Sequence, residues 1–255
     1  MAGGGVIVRA MTLSYATILR RQLRAAGADK RKGERTRDRL TLAAVQALEA
    51  RGYLRLRVRD ICERAHTSPA TFYQYFRNTE HITIEVLTGF LQSTFHTGHA
   101  AAPPRPLFEA LCAANLAWVA SARANAGLMR CLLQLGDQVP EFMALHERLS
   151  HEWFVHVTQN LRRRFPASGT DEATLLLAVH ALGAMMDEIV RKLFVARVKQ
   201  LRPLVAATAP TDEAIAEFLS TLWYRALLGT NPPRVRHRAS RHLLRFTGAA
   251  TRRSA

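Results

Sequence analysis

Apolar residues recur every three to four positions along most of the chain, which is the period of an α-helix. The sequence contains neither an Asn-Gly or Asp-Gly hairpin signal nor a sustained alternation of apolar and polar residues. Prolines within 103–106 mark a break, because consecutive prolines cannot continue a helix. The pattern predicts an all-α protein, with an amphipathic stretch at 13–26, short helices between 34 and 76, and longer helices near 107–122, 125–135, 138–165, 171–199 and 211–228.

Two of the short helices have clear boundaries. The first is predicted at 35–51 and ends at Gly52, because a residue in a left-handed conformation commonly terminates a helix. The second covers about 58–65, where apolar residues recur at helical spacing, and His66-Thr67 forms the turn after it.

The third short helix, predicted at 69–76, leaves an unusual set of side chains outside the core. Ser68 is a good N-cap, and Pro69 suits the first helical position. Phe72 and Phe76 lie four residues apart and can both face the core. The other faces then carry small, hydroxyl and amide side chains, namely Ala70, Thr71, Tyr73, Gln74 and Tyr75.

Such a surface favours a helix that enters the major groove of DNA. Small residues allow a close approach to base edges, and hydroxyl groups donate to phosphates or bases. A generic helical hairpin, whose tyrosines pack half-buried, would show the same pattern and stays open as an alternative.

The formal net charge of +16 is concentrated at the two ends of the chain. Residues 1–39 contain ten lysines and arginines against three acidic residues, and residues 231–255 contain seven arginines and no acidic residue. Basic terminal segments commonly bind nucleic acid or an anionic surface, although a solvated extension without a partner has the same composition.

Residues 35–90 resemble the N-terminal domain of the tetracycline-repressor (TetR) family of regulators. The helical remainder of the chain is similar to the family only in length and layout. The resemblance is carried by Gly52-Tyr53, Val58-Arg59-Asp60-Ile61, Ala65, Ser68-Pro69-Ala70-Thr71-Phe72-Tyr73, Phe76, Asn78 and Glu80.

The resemblance implies a homodimeric, all-α transcription regulator. Its parts would be a basic extension at 1–33, a three-helix helix-turn-helix DNA-binding domain at 34–80, a helical ligand-binding and dimerisation domain at 81–230, and an Arg-rich tail at 231–255. By matched position, bases would be contacted by Pro69, Ala70 and Tyr73, and phosphates by Ser68, Thr71 and Tyr75. Arg57, Gln74 and Thr79 complete the predicted DNA-binding set, and a fourth helix from about Asn78 would transmit motion between the domains.

Three positions depart from the family pattern. His66 stands where Gly is common, so a left-handed turn there costs more. Thr79 stands where a phosphate-binding Lys is common, so a charge is lost. The second helix lacks a Ser or Thr cap, because Leu56 and Arg57 precede it. The basic N-terminal extension, including Arg31, Lys32, Arg35 and Arg37, is a candidate source of the missing charge.

The later helices carry apolar and aromatic residues that could line a cavity for an apolar or aromatic ligand. Simple core packing is the alternative for each of them. Segments 171–199 and 211–228 are the best dimerisation candidates, through stripes that include Leu175, Val179, Leu182, Met186 and Ile189, although packing within one protomer could use the same stripes. The cavity candidates are Trp118, Met129, Leu133, Phe142, Trp153, His156 and Met185, with Phe154 and Met186 beside them.

Enzyme signatures are missing from the sequence. His146 and His151 are five residues apart, so they diverge on a helix instead of pairing on a metal. Gly-x-Ser-x-Gly, the phosphate loop and Gly-x-Gly-x-x-Gly do not occur. We therefore expect no enzymatic activity, no cofactor and no metal site.

A cytoplasmic location is expected. Cys62, Cys112 and Cys131 are scattered and odd in number, which favours a reducing compartment. The apolar run at 6–8 is too short for a secretory signal, and runs such as 175–179 are too short to span a bilayer, so no membrane partner is expected.

The sequence thus predicts a DNA-binding regulator that reads a near-palindromic operator as a homodimer. In this family it would most often be a repressor, released from its operator by a small apolar or aromatic ligand. The alternative is a module that uses its basic tails to bind nucleic acid without sequence preference.

Overall fold

The computed structural model describes residues 13–26, 30–97, 105–136 and 138–246, and within these ranges the chain forms helices and no strands. This confirms the predicted all-α class. The helices are α1 (Tyr15–Ala25), α2 (Lys32–Arg51), α3 (Val58–Ala65), α4 (Pro69–Tyr73), α5 (Thr79–Thr97), α6 (Leu107–Ala124), α7 (Ala126–Gly136), α8 (Pro140–Arg164), α9 (Glu172–Val190), α10 (Leu201–Thr208), α11 (Asp212–Leu228) and α12 (Arg238–Arg245). A 3-10 turn at Tyr53–Arg55 follows α2, and a π-helical segment at Arg191–Val195 extends α9.

The described helices form two compact units. The N-terminal unit contains α1 to α5, α7 and the first half of α8 to Trp153. The C-terminal unit contains α6, the rest of α8 and α9 to α12. The domain boundaries at 33, 80 and 230 remain predictions, since compactness alone does not define a functional domain.

The core of the N-terminal unit is built from apolar stripes that recur at helical spacing. Leu40, Ala44 and Leu48 of α2 are fully buried, as are Ile61 of α3 and Phe72 of α4. α3 and α4, with eight and five residues, are too short to be stable as isolated helices, so their order depends on this shared core.

The extension before α2 includes a helix that belongs to the same unit. Tyr15 of α1 is buried, and its ring lies 5.7 Å from that of Phe90 on α5. Its backbone N–H donates to Oδ1 of Asn125, before α7, over 2.6 Å. Burial raises the pKa of Tyr15 to about 12. Residues 13–26 therefore form a packed helix, with Arg21 and Arg24 exposed to solvent.

The C-terminal unit packs α6, α9 and α11 against one another. Asn115 of α6 donates to Ser220 of α11 over 2.8 Å inside the unit, and Phe108 meets Tyr224 edge to face at 5.6 Å. A Cβ at Gly183 of α9 would lie 2.3 Å from the Phe154 ring, so α9 and α8 approach closely only because residue 183 is Gly.

The stripe of α9 predicted for dimerisation is partly buried within its own protomer. Val179 and Met186 are buried, whereas Leu177 is 71% exposed and lies on the opposite face with exposed Ala181 and Ala184. Val179 and Met186 therefore pack within one protomer, whereas a dimer role for Leu175, Leu182 and Ile189 stays a prediction. The exposed stripe is the one formed by Leu177, Ala181 and Ala184.

Glu172–Val195 is the one described helical stretch that is long and apolar enough to cross a membrane. The sequence contains no uninterrupted apolar run of this length, because single polar residues such as His180 interrupt the stretch. The stretch is nevertheless apolar on average. By itself this is weak evidence for a membrane span, because long apolar helices of proteins that stay in water meet the same two criteria.

Three helices differ from the predicted ones. α4 ends at Tyr73, not Phe76, because the N–H groups of Gln74 and Tyr75 bond three residues back and tighten the chain into a turn. α10 was missed because Pro203 lies within it, but a first-turn proline lacks only an N–H that would have no helical partner. α12 lies inside the predicted Arg-rich tail.

Candidate nucleic-acid interface

The start of α3 is held by Asp60, a residue that the sequence analysis did not single out for this role. Its buried carboxylate accepts the backbone N–H of Arg57 over 3.1 Å through Oδ2, and Oδ1 lies 3.2 Å from the Arg51 guanidinium. As expected from the sequence, the residue before the helix provides no capping side chain, and Asp60 at the third helical position bonds back to the N–H of that residue instead. Arg57 itself is exposed.

The turn between α3 and α4 passes through a left-handed residue. His66 has φ 50° and ψ 54°, and its N–H bonds to the Glu63 carbonyl over 3.3 Å. The N–H of Thr67 bonds to the Cys62 carbonyl over 3.1 Å, which completes a Schellman motif. His66 thus takes the conformation that glycine adopts more readily, as expected from the sequence.

α4 is fixed from both sides. Ser68 Oγ accepts the backbone N–H of Thr71 over 3.1 Å, and Pro69 occupies the first turn. On the other face Phe72 is fully buried, and its ring lies 5.6 Å from that of Phe76. A helix of five residues therefore has a capped start and an anchored inner face.

Most of the predicted DNA-contacting side chains share the outer surface of α3 and α4. Tyr73 is 59% exposed, although it is a large aromatic residue. Thr71 and Thr79 are half-buried. The exposed members of the set are Arg57, Ser68, Pro69, Ala70, Tyr73 and Gln74.

Tyr75 differs from the sequence-based expectation of two exposed tyrosines. It follows α4, is half-buried and packs against the core of the N-terminal unit. A Cβ built on Gly33 would lie 3.4 Å from the Tyr75 hydroxyl, so this hydroxyl lies beside the first turn of α2. The half-buried alternative is correct for Tyr75 and wrong for Tyr73.

The N-terminus of α5 is capped in both directions. Asn78 Oδ1 accepts the His81 N–H over 2.8 Å, and His81 Nδ1 accepts the Arg77 N–H over 3.2 Å. These bonds fix the start of the helix beside Thr79, whose hydroxyl stands where the family often carries a Lys.

Two cations near the interface have structural partners. Arg37 Nη2 lies 2.5 Å from Glu85, and the same guanidinium stacks 5.2 Å from the centre of the Phe76 ring. Lys30 pairs with Asp38 at 2.5 Å. Arg37 therefore links α2 to α5, so it has a structural role besides the predicted contribution of charge. Arg31, Lys32 and Arg35 remain exposed.

The residues predicted to line a ligand cavity are divided between the two units. Phe142 is buried in the core of the N-terminal unit, and Leu133 is 48% exposed. Met129 and Trp153 belong to the same unit, whereas Trp118, His156 and Met185 belong to the C-terminal unit. A shared cavity for the seven residues remains a prediction.

The cysteine thiols are placed for packing. Burial raises the pKa of Cys62, and it raises the pKa of Cys112 and Cys131 to about 11. These thiols are protonated near neutral pH and are poor nucleophiles. Among the side chains that the structure describes, no group of three or more His, Cys, Asp or Glu residues is arranged to hold a metal ion.

Three solved structures share the fold of this chain. A fatty acid degradation regulator, FadR, from Bacillus halodurans aligns with a TM-score of 0.52 at 18% identity, covering 76% of this chain and 99% of its own. A candidate TetR-family transcriptional regulator from Mesorhizobium loti has a TM-score of 0.52 at 17% identity and covers 76% and 98%. A TetR-family transcriptional regulator from Bordetella parapertussis has a TM-score of 0.51 at 17% identity and covers 77% and 97%.

At such identities the structural likeness establishes the fold alone. No curated protein matches the chain by sequence. Residues 40–86 match the family model of bacterial regulatory proteins, tetR family, and these residues contain α3, α4 and their caps. The resemblance seen in the sequence is confirmed: the chain carries the N-terminal helix-turn-helix domain of the tetR family of bacterial regulatory proteins.

Proposed function

We propose that the chain is a transcriptional regulator that binds a specific DNA sequence through α4. The observation that carries the proposal is the placement of Tyr73. Its neighbour Phe72 is locked in the core, yet the Tyr73 ring is 59% exposed on a capped helix preceded by small residues. An exposed tyrosine offers a flat apolar ring and a hydroxyl to base edges and phosphates.

In this proposal, Pro69, Ala70 and Tyr73 face bases, and Ser68 and Thr71 contact phosphates. Arg57, Gln74 and Thr79 add polar contacts at the edge of the same surface. Tyr75 has a smaller role than the sequence suggested, because its ring packs against the core.

The regulator would bind as a homodimer. The face of α9 formed by Leu177, Ala181 and Ala184 supports this assignment, because it is apolar and exposed and its small residues let a second helix approach closely. Two recognition helices about 34–36 Å apart would read two half-sites of a near-palindromic operator.

Control by a small apolar or aromatic ligand follows the same proposal. A ligand that binds better to the form with the wrong spacing of recognition helices would shift the population away from the operator-bound form. Repression would then be relieved by differential affinity, without any catalytic step.

Selection of bound fragments from random DNA tests the proposal. The expected result is a near-palindrome with a defined half-site spacing. Binding of the selected duplex is then compared between the wild type, Tyr73→Ala and Arg21→Ala, whose side chain is exposed on α1. Tyr73→Ala should cost about 1–3 kcal/mol on the selected duplex and relax base preference. Arg21→Ala should weaken selected and unrelated duplexes to the same extent, if at all.

The rival function is a module that binds nucleic acid without sequence preference. It predicts that selection returns no consensus and that Tyr73→Ala weakens all duplexes equally. Either result would contradict sequence-specific regulation.

A further inference from the structure

The Arg-rich C-terminal segment contains a helix, α12, that is hydrogen-bonded to α11 near both of its ends. The buried carboxylate of Glu217 accepts the backbone N–H groups of Arg236 and His237, each over 2.8 Å. Near the other end, the Arg225 guanidinium donates to the Leu243 carbonyl over 3.1 Å. A negative group at the N-terminus and a positive group at the C-terminus both match the dipole of α12.

The helix divides into two faces. Ala239 and Ser240 are buried. At about 100° per residue, Arg238, Arg241 and Arg245 lie within an arc of about 60° on the opposite side. All three arginines are exposed, and we name them the arginine face. They extend over about 10.5 Å of helix, at 1.5 Å per residue.

The arginine face has no anionic partner in the part of the chain that the structure describes. None of the three guanidinium groups forms an ion pair with a described carboxylate. Exposed Arg234 and Arg236 lie just before the helix, and residues 231–255 contain no acidic residue. A fixed helix thus holds several like charges together, which is favourable only when a polyanion or its counterions are present.

We propose that the arginine face of α12 binds the phosphate backbone of duplex DNA, as a second contact that is independent of base sequence. This partner rests on the proposed function, which brings duplex DNA to the protein. One DNA strand presents a phosphate about every 3.4 Å along the axis, so the arginine face spans about three phosphates.

A membrane surface fits the helix less well. A helix that lies on a bilayer inserts its apolar face among the lipid chains. In α12 that side carries the buried Ala239 and Ser240, whereas the arginine face is left free.

The test compares two triple variants of the full-length protein that lose the same charge. The first is Arg238→Gln, Arg241→Gln and Arg245→Gln. The control is Arg197→Gln, Lys199→Gln and Arg202→Gln, three exposed cations of the C-terminal unit that also lack a described ion-pair partner. Binding is measured by fluorescence anisotropy between 50 and 200 mM salt, on the selected duplex and on a duplex of random sequence.

Each phosphate contact contributes about 0.9 to the slope of log affinity against log salt. The arginine-face variant should flatten this slope by about 2.7 per bound protomer on both duplexes, so its affinity should fall about 40-fold less than that of the wild type across the salt range. The control should leave the slope within about 0.5 of the wild type. An unchanged slope in the first variant, or equal flattening in both, would overturn the proposal.

Two further measurements distinguish a failure of this proposal from a failure of the proposed function. Binding to vesicles of anionic lipid that is lost in the arginine-face variant, with no change on DNA, would assign the surface to membranes and overturn the proposal. A selection that returns no consensus would contradict sequence-specific regulation, whereas flattening on the random duplex would still support the arginine face. Thermal melts check that both triple variants remain folded.

Discussion

Glu49 of α2 stabilises the N-terminal unit, because it caps a helix that begins 77 positions later in the chain. Its carboxylate accepts the N–H of Gly127 over 3.0 Å and the N–H of Leu128 over 3.3 Å. Both donors lie in the first turn of α7 and have no partner within that helix.

The cost of removing Glu49 follows from these two bonds. Gly127 and Leu128 are buried, so Glu49→Ala leaves two donors without an acceptor, at about 1–3 kcal/mol each. Water that enters the space left by the side chain recovers part of this loss. We expect a decrease of about 2–4 kcal/mol in the free energy of unfolding for Glu49→Ala, and about 1–2 kcal/mol for Glu49→Gln, which keeps one acceptor oxygen.

Urea denaturation at pH 7 measures both values. Glu63→Ala is the control, because Glu63 is an exposed residue of the same unit in a surface pair with Arg59 and should cost less than about 1 kcal/mol. A loss below about 0.5 kcal/mol for Glu49→Ala would refute the capping role.

The pH dependence gives an independent check with a defined sign. Burial raises the pKa of Glu49 above its ordinary value of 4.5, although its two backbone hydrogen bonds and Arg130 oppose the shift. Between the unfolded and the folded pKa, the folded protein therefore binds more protons than the unfolded chain, and stability falls as pH rises through that window. The stability of the wild type should decline relative to that of Glu49→Gln as pH rises from about 4.5, and a relative increase would contradict this reasoning.

Three other variants test single features of the fold. Gly127→Ala places a Cβ 2.4 Å from the backbone oxygen of Glu49, so it should destabilise the protein by at least about 2 kcal/mol in urea denaturation, although alanine normally favours a helix by about 1 kcal/mol. His66→Gly should be at least as stable as the wild type and His66→Val less stable, with about 2 kcal/mol between the two, because the residue is left-handed; equal stabilities would contradict the strain at this turn. Glu217→Ala should release α12 and speed trypsin cleavage within 234–245, whereas exposed Glu213→Ala should not, and unchanged cleavage would argue against the fastening by Glu217.

Helical periodicity predicted most of the fold because most helices bury one apolar stripe. α2 begins three residues before its predicted start, and α6, α7 and α8 lie within two residues of their predicted ends. The signals were local in each case: spacing, a capping residue, or a proline break. Ser68 and Pro69 marked the start of α4 for the same reason.

Features that depend on distant contacts were not visible in the sequence. α12 lies in a basic segment, and its cap comes from Glu217, some twenty residues earlier. The exposed face of α9 could not be chosen by periodicity, because Leu175 and Leu177 are both apolar and only packing decides which side is covered. Tyr75 was placed outside because a longer helix was expected, whereas the chain turns after Tyr73.

The roles of the cations in the helix-turn-helix region could not be assigned from the sequence. A count of cations does not separate those that stabilise the fold from those that are available to contact a phosphate. Arg37 is held by Glu85 and Phe76, and Arg51 lies against the buried carboxylate of Asp60. These contacts position α2, α3 and α5, so replacing either arginine would destabilise the helices that hold α4 in place. The exposed Arg57 differs from them, because Asp60 binds only its backbone N–H. In the proposed interface, Arg57 and the exposed cations at the start of α2 are therefore better candidates than Arg37 or Arg51 to supply the charge that Thr79 does not.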